Sequence, residues 1–88
     1  MPELLIGKIT HYYSKIAVAA LSLEAPLRTG DRVHIVGHTT DLQQTVESME
    51  IEHSKIEAAG LGDDVTIGVA DRVRAGDQVY RVTEAATE

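Results

Sequence analysis

Apolar and polar residues alternate along several short stretches of this chain, with the period of two that is typical of β-strands. In KIAVAALSL the side chains of Ile16, Val18 and Ala20 share one face, and DVTIGV places Val65, Ile67 and Val69 together in the same way. Four further stretches have a similar composition. The pattern therefore predicts six strands, at residues 4–10, 15–23, 32–36, 44–51, 64–69 and 78–82.

The alternation slips at two points. Ile6 and Ile9 are out of step across Gly7, and Val46 is out of step with Met49 and Ile51. Both slips predict β-bulges, which bend a strand so that a sheet can curl. Only HSKIEAAGLG, at 53–62, has any helical character, and it predicts a loop with about one helical turn.

Three Gly-Asp pairs, which begin at Gly30, Gly62 and Gly76, each precede an apolar run. Glycine readily adopts the positive φ that a tight turn requires, and aspartate can bond its own backbone two residues further on. The pairs explain why LRTGDRVHIV, at 27–36, is so similar to VRAGDQVYRV, at 73–82. Both stretches are predicted to be a turn followed by a strand.

Six short strands separated by frequent turns favour an all-β fold, a small closed six-stranded β-barrel, because closure removes exposed strand edges. The 88 residues allow a single domain, which we place at 1–83. With aromatic residues at 3% and no Phe or Trp, its core must consist of Val, Ile, Leu and Ala. The small acidic end, 84–88, is predicted to be a disordered tail.

Three ordered segments, GKITHYYSKIAVAALSLEAPLRTGDRVHIVG, TVESMEIEHSKIEAAGLGDDVTIGV and VRAGDQVYRV, resemble the β-barrel domain 2 of translation GTPases of the elongation factor Tu type. The resemblance covers residues 7–82 and is closest to free-standing translation elongation factor-like proteins. Similar barrels also occur at the ends of collagenase-like peptidases. The resemblance implies a barrel of the translation-protein type.

The chain lacks the nucleotide-binding domain of those GTPases. The segment GKI at Gly7 has neither the Ser or Thr after Lys nor the earlier Gly of a phosphate-binding loop. No GTP hydrolysis is therefore expected, and the resemblance implies a role in translation through binding alone, by contact with the ribosome, RNA or a translation factor.

The formal net charge is −6, from 8 basic and 14 acidic residues, which opposes a broad field that attracts phosphates. All five arginines lie in or beside the repeated stretches, and in a barrel they could form a local patch: Arg28, Arg32, Arg72, Arg74 and Arg81. We therefore expect a protein or ribonucleoprotein partner, with RNA contacted through that patch, and we expect neither DNA nor a membrane.

No arrangement of residues predicts catalysis. His34 and His38 have a spacing that would suit a metal site on a helix, but they fall on a predicted strand and Gly37. The turn aspartates Asp31, Asp63, Asp64 and Asp77 are expected to bond backbone amides rather than act as acid and base. The serines lie in no nucleophile motif. We expect a protein that is not an enzyme and holds no cofactor or metal.

The segment THYYSK, at 10–15, places two of the three tyrosines at a hairpin tip. The simpler interpretation is that one ring covers an open end of the barrel while the other lies in solvent. If strands alternate up and down, the loop GHTTD lies at the same end. The predicted binding residues are Tyr12, Tyr13, His38 and Thr39, together with Arg28, Arg32 and Arg74.

Two functions remain open, and a third has little support. The first is a binding module associated with translation, for which RNA contact would make the affinity fall steeply with salt. The alternative is an accessory subunit of a larger enzyme such as a collagenase-like peptidase, and the least supported is an independent enzyme. The absence of Cys and of an apolar leader at MPELLIGKIT favours the cytoplasm.

Overall fold

The computed structural model describes residues 3–82, and within that range every regular element is a β-strand. The all-β class is confirmed. The described residues form ten strands where the sequence predicted six: β1 (Glu3–Tyr13), β2 (Val18–Leu23), β3 (Leu27–Arg28), β4 (Arg32–Val36), β5 (Asp41–Thr45), β6 (Met49–Ile51), β7 (Ser54–Ile56), β8 (Ala58–Ala59), β9 (Asp64–Gly68) and β10 (Gln78–Val82). The predicted tail at 84–88 lies outside the described residues.

Eight strands form one antiparallel sheet in the order β5-β4-β10-β1-β2-β9-β6-β7, and β3 pairs with β8 in a second, two-stranded sheet. The long first strand therefore lies in the middle of the large sheet, between β10 and β2. This order is not a simple meander, because β10 returns from the end of the chain to lie between β1 and β4.

The prediction of a closed barrel is wrong, since no strand pairing joins β5 to β7 in the part of the chain that the structure describes. The sheet nevertheless curls far enough for a side chain of β5 to reach the end of β9. Gln44 donates from Nε2 to the carbonyl of Gly68 at 2.8 Å, and its Oε1 accepts the amide of Ala70 at 2.7 Å. Side-chain hydrogen bonds thus connect the edge strand β5 to the end of β9.

Among residues 3–82, fifteen apolar residues are buried inside the curled sheet: Ile6, Ile9, Ala19, Leu21, Leu23, Leu27, Val33, Ile35, Val46, Met49, Val65, Ile67, Val69, Val73 and Val79. The face predicted for β9 is confirmed, since Val65, Ile67 and Val69 all belong to this core. On β2 the buried face is the other one. Val18 and Ala20 point outward, and Ile16 lies before the strand with 68% of its surface exposed.

One predicted bulge is confirmed. The register of β1 against β10 shifts between Leu5 and Gly7, which lets both Ile6 and Ile9 face the core. Gly7 is required by close approach, because a Cβ there would lie 2.4 Å from the carbonyl oxygen of Ser22.

The predicted strand at 44–51 is wrong, because the chain leaves the extended ladder between Thr45 and Met49. The predicted helical turn within 53–62 is also wrong, since that segment forms β7, β8 and two turns. In both places a contact with a distant part of the chain determines the local conformation, and such contacts are invisible to local periodicity.

The three Gly-Asp pairs fold into one repeated unit, at residues 28–31, 60–63 and 74–77. In each unit the first residue donates its amide to the Asp Oδ2 and accepts the Asp amide on its carbonyl, at 2.8 to 3.1 Å. The Asp side chain therefore bonds three residues back, not two residues forward as predicted. The glycine between them has φ of 96°, 90° and 96° in Gly30, Gly62 and Gly76, as the sequence predicted.

Each unit also forms two backbone hydrogen bonds to one buried residue elsewhere in the chain. The glycine amide donates to the carbonyl of that residue, and the Asp carbonyl accepts its amide, at distances of 2.7 to 3.0 Å. The bonded residue is Val46 for the unit at 28–31, Leu23 for 60–63 and Ile9 for 74–77. We call this arrangement of a turn hydrogen-bonded to a buried residue a Gly-Asp clasp. Three clasps fix three core residues to the turns that open β4, β9 and β10.

The positive φ of the clasp glycines gives a direct test. Nothing lies within 4 Å of a Cβ built on Gly30 or Gly76, so alanine there adds backbone strain without a collision. Gly30→Ala and Gly76→Ala should each lower the free energy of unfolding by about 1 kcal/mol. Gly60 is equally open but has no positive φ, and Gly60→Ala is the matched control. Urea denaturation showing equal stability for all three variants would contradict the assignment of Gly30 and Gly76.

Candidate functional site

The two adjacent tyrosines lie at the end of β1 and point to opposite sides of the sheet. Tyr12 pairs with Ala19 and packs partly buried against the core, whereas Tyr13 pairs with Val18 on the outer face. Tyr13 is 44% exposed, and its ring lies 4.3 Å from that of His11 between centroids. Tyr13 is therefore the tyrosine of this pair that a partner can reach.

Tyr13 borders an open groove of about 400 Å³ on the outer face of the sheet, which we call the outer groove. The groove crosses β2, β9 and β6, between the loop that follows β1 and the turn that joins β6 to β7. Its lining combines apolar side chains, hydroxyls and carboxylates: Tyr13, Ile16, Val18, Ser48, Glu50, Glu52, His53, Thr66, Ile67 and Gly68. Of the predicted binding residues, only Tyr13 lies in it.

The loop between β4 and β5 carries His38 and Thr39, which are both exposed. Thr39 lines a separate polar hollow of about 340 Å³, and Arg74 lines the same hollow. His38 and Thr39 line no part of the outer groove. The predicted common surface of Tyr12, Tyr13, His38 and Thr39 is therefore not formed as one site, because the strand order separates the two hairpins.

The arginines do not form the single patch that the sequence suggested. Arg32 begins β4 and Arg28 precedes it in β3, while the Arg81 guanidinium donates to the carbonyl of Pro26. Arg72 and Arg74 lie beyond the opposite end of β4, beside Thr39. Five strand residues span about 17 Å, so β4 keeps the two groups apart.

The structure reveals one polar cluster that sequence reasoning did not find. His34, on the outer face of β4, bonds Asp41 through Nε2 at 2.5 Å and Glu3 through Nδ1 at 2.8 Å. The hydrogen bond to Asp41, followed by that to Glu3, raises the pKa of the His34 imidazole above its ordinary value. Asp41 lies across the β4–β5 hairpin from His34, whereas Glu3 is far away in sequence and is brought close by the pairing of β10 with both β4 and β1.

This cluster is not arranged as a metal centre. The two carboxylates bind opposite ring nitrogens, so their oxygens do not converge on one point as ligands of a single ion must. Across residues 3–82, no group of three or more His, Cys, Asp or Glu side chains has an arrangement that could hold a metal ion.

The carboxylates of three turn aspartates form hydrogen bonds that close their turns. Asp31, Asp63 and Asp77 each accept a backbone amide within a Gly-Asp clasp. In the described part of the chain no serine side chain bonds a histidine, which leaves the geometry of a Ser-His-acid triad unformed there. The same part of the chain contains no helix long and apolar enough to cross a membrane.

Three curated relatives match the chain. An uncharacterized protease of Methanocaldococcus jannaschii is 38% identical over 80 residues, which are 90% of this chain and 20% of the relative. Two collagenases of Porphyromonas gingivalis are 35% and 36% identical, over 90% and 86% of this chain and 20% and 22% of their own lengths. The chain thus spans about a fifth of the length of the curated relatives that it matches. No protein-family model matches the chain.

Two crystal structures of the C-terminal domain of a Geobacillus thermoleovorans protein, assigned as a U32 peptidase, have the same fold. One has a TM-score of 0.85 at 18% identity and covers 91% of this chain and 93% of that domain. The other, a selenomethionine variant, has a TM-score of 0.81 at 19% identity and covers 85% and 95%.

These relatives correct the resemblance to elongation factor domain 2. The matched sequences belong to a protease and to collagenases, and the structural neighbours are peptidase C-terminal domains, so the identification as a translation elongation factor-like protein is wrong. The reason is that Gly-Asp turns and a curled sheet are features of a fold, which proteins of different function use.

The two tyrosines should differ in their contribution to stability. Tyr12→Ala removes a ring that packs against the core and should lower the free energy of unfolding by about 1–3 kcal/mol, whereas Tyr13→Ala should change it by about 0.5 kcal/mol or less. Chemical denaturation of both variants measures the difference. A greater loss for Tyr13→Ala would contradict the assignment of that ring to the outer face.

The carboxylates around His34 predict a pH-dependent contribution to stability. Because the pKa of His34 is higher in the folded chain, its charged form stabilises the fold at low pH, and that contribution is lost as the pH rises through the raised pKa. Imidazole NMR signals should show His34 titrating above its ordinary value. Asp41→Asn should lower the pKa, while Asp64→Asn, at an exposed position on β9 outside the cluster, should leave it unchanged. A wild-type pKa at or below the ordinary value would refute the cluster.

Proposed function

We propose that this chain is a non-catalytic accessory module that works together with a collagenase-like peptidase, where it contacts the peptidase or holds its peptide substrate. The observation that carries the proposal is the set of relatives, since the chain matches about a fifth of a protease and of collagenases and shares its fold with peptidase C-terminal domains. An additional domain of this size and position suits a role in contact or positioning.

The interior of the structure supports a role without chemistry of its own. Apolar side chains fill the space inside the curled sheet, so the described hollows lie on the outer surface. General acid and base catalysis needs two groups brought together in a site that excludes water. The aspartates that the sequence repeats are engaged in the Gly-Asp clasps instead.

The charge distribution favours a protein partner over RNA. The net charge is −6, and β4 separates the arginines into two groups. Neutralising a run of phosphates requires several cations along one surface, and such binding weakens steeply as salt rises. Binding to a peptidase or to its substrate does not require such a row of cations.

The proposal predicts that the tagged chain, purified from its own cells, brings down one larger peptidase. Enrichment should be close to stoichiometric by quantitative mass spectrometry and should persist after ribonuclease treatment, because no RNA bridges the two proteins. Recovery of ribosomal proteins that ribonuclease removes, or recovery of no peptidase, would contradict the proposal.

A second measurement separates an accessory role from simple association. The co-purified peptidase, first separated from the chain, should be assayed on gelatin and on a short fluorogenic peptide, with and without added chain. A module that holds long substrates should raise kcat/KM for gelatin and leave the short peptide unaffected. Equal rates on gelatin with and without the chain would remove the positioning role.

A further inference from the structure

We propose that the outer groove binds an extended peptide segment through a lysine or arginine side chain. As a binding site for a substrate segment, the groove rests on the function proposed above, because a peptidase supplies the reason for holding such a segment. Peptide binding itself is a property of this chain and can be measured without any peptidase.

The groove is open at its base because Gly68, which lines it, has no side chain. On the outer face Gly68 lies opposite Val18, between the strands that carry Tyr13 and Glu50. A Cβ at Gly68 would meet only Ser48 Oγ, at 3.6 Å, which is ordinary van der Waals contact. The space above this glycine is therefore free for a ligand, and a side chain built there would fill it.

One side of the groove is apolar and exposed. Tyr13 is 44% and Ile16 68% exposed, and Val18 continues their surface along β2. A contiguous apolar patch on the surface often marks a binding site, whereas single exposed apolar residues are normal. The aliphatic stem of a lysine or arginine can lie along such a wall, while its charged group extends beyond it.

The other side supplies the complementary charge. Glu50 points outward from β6, and Glu52 occupies the turn that follows. Within residues 3–82, neither carboxylate forms an ion pair, although Lys55 lies opposite Glu50 in the β6–β7 pairing. An aromatic and aliphatic wall that faces two carboxylates matches a long cationic side chain better than an acidic or a purely apolar one.

The backbone is unusual on both sides of the groove. Within the described residues, positive φ outside glycine occurs at Ala17, Glu52 and His53, with values of 55°, 52° and 69°. Glu52 and His53 form the two-residue turn between β6 and β7, where Asn-Gly is the common choice. Ala17 lies between Ile16 and Val18. Residues held in such conformations are concentrated at binding sites, which agrees with a contact surface at this position.

The width of the groove suits an extended chain. Strands β1 and β6 are separated by β2 and β9, so their backbones lie about 14 Å apart along the sheet. An extended peptide with one side chain directed downward fits between the Tyr13 side and the Glu50 side. The proposal therefore commits to a single basic side chain in the groove, with small residues on either side of it.

The test is NMR titration of the 15N-labelled 88-residue chain with the peptide Gly-Ala-Arg-Ala-Gly, blocked at both ends. Shifts should concentrate on the amides of β2, β6, β9 and the turn at Glu52 and His53. The peptide with Gln in place of Arg should bind at least about fivefold more weakly. The peptide with Glu in place of Arg should cause no shifts at these amides.

Two variants address charge and space separately. Replacing both groove carboxylates, Glu50→Gln with Glu52→Gln, should weaken binding about fivefold or more, whereas Glu24→Gln with Glu57→Gln makes the same change of charge outside the groove and should retain binding. Gly68→Leu fills the floor without changing charge and should abolish the shifts. The spectrum of each free variant verifies that it is folded.

The outcomes are distinct. Arg-dependent shifts in the groove that both groove variants remove would support the proposal. Shifts located elsewhere, equal binding of the Arg and Glu peptides, or no shifts with millimolar peptide would overturn it. None of these results decides whether a peptidase co-purifies with the chain, so failure of the groove and failure of the accessory role remain distinguishable.

Discussion

The Gly-Asp clasp is the interaction on which the rest of this structure depends. In each of three turns a glycine amide and an aspartate carbonyl bond both backbone groups of one buried residue, Val46, Leu23 or Ile9, while the aspartate carboxylate closes the turn itself. The hydrogen bonding of the neighbouring ladder therefore continues into each turn, and the buried backbone groups at these points are satisfied. Short strands with few aromatic residues become a defined frame because these clasps fix where β4, β9 and β10 begin.

The clasps also show how far the sequence determines the fold. Gly30, Gly62 and Gly76 were predictable as turn hinges, because Gly followed by Asp and an apolar run has a local physical meaning. The break after Val46 was not, because Val46 still continues the β4–β5 register to Asp31 and the chain then turns so that Met49 pairs with Ile67 of β9. The open edge between β5 and β7 and the short strands of 53–62 depend on long-range pairing in the same way.

The functional surface was less predictable than the frame. Strand alternation predicts that one ring of the Tyr12 and Tyr13 pair is exposed. The residues that surround it depend on the strand order, which brings Glu50 and Gly68 near Tyr13. The same order places Thr39 beside Arg74. His34 with Glu3 and Asp41 is a further example of residues that only the pairing assembles. The acidic residues consequently have separate roles, because some close turns in the frame whereas Glu50 and Glu52 remain on its outer face.

The central claim is that three clasps hold a stable frame whose outer face makes the contacts. Hydrogen exchange of the chain, alone and with the co-purifying peptidase, tests it most directly. The amides of Gly30, Gly62 and Gly76 should exchange together, at the rate of global unfolding, and the protection gained on binding should fall on the strands and turns around the outer groove. Separate opening of one clasp, or new protection confined to the loops around Thr39 and Arg74, would contradict the account.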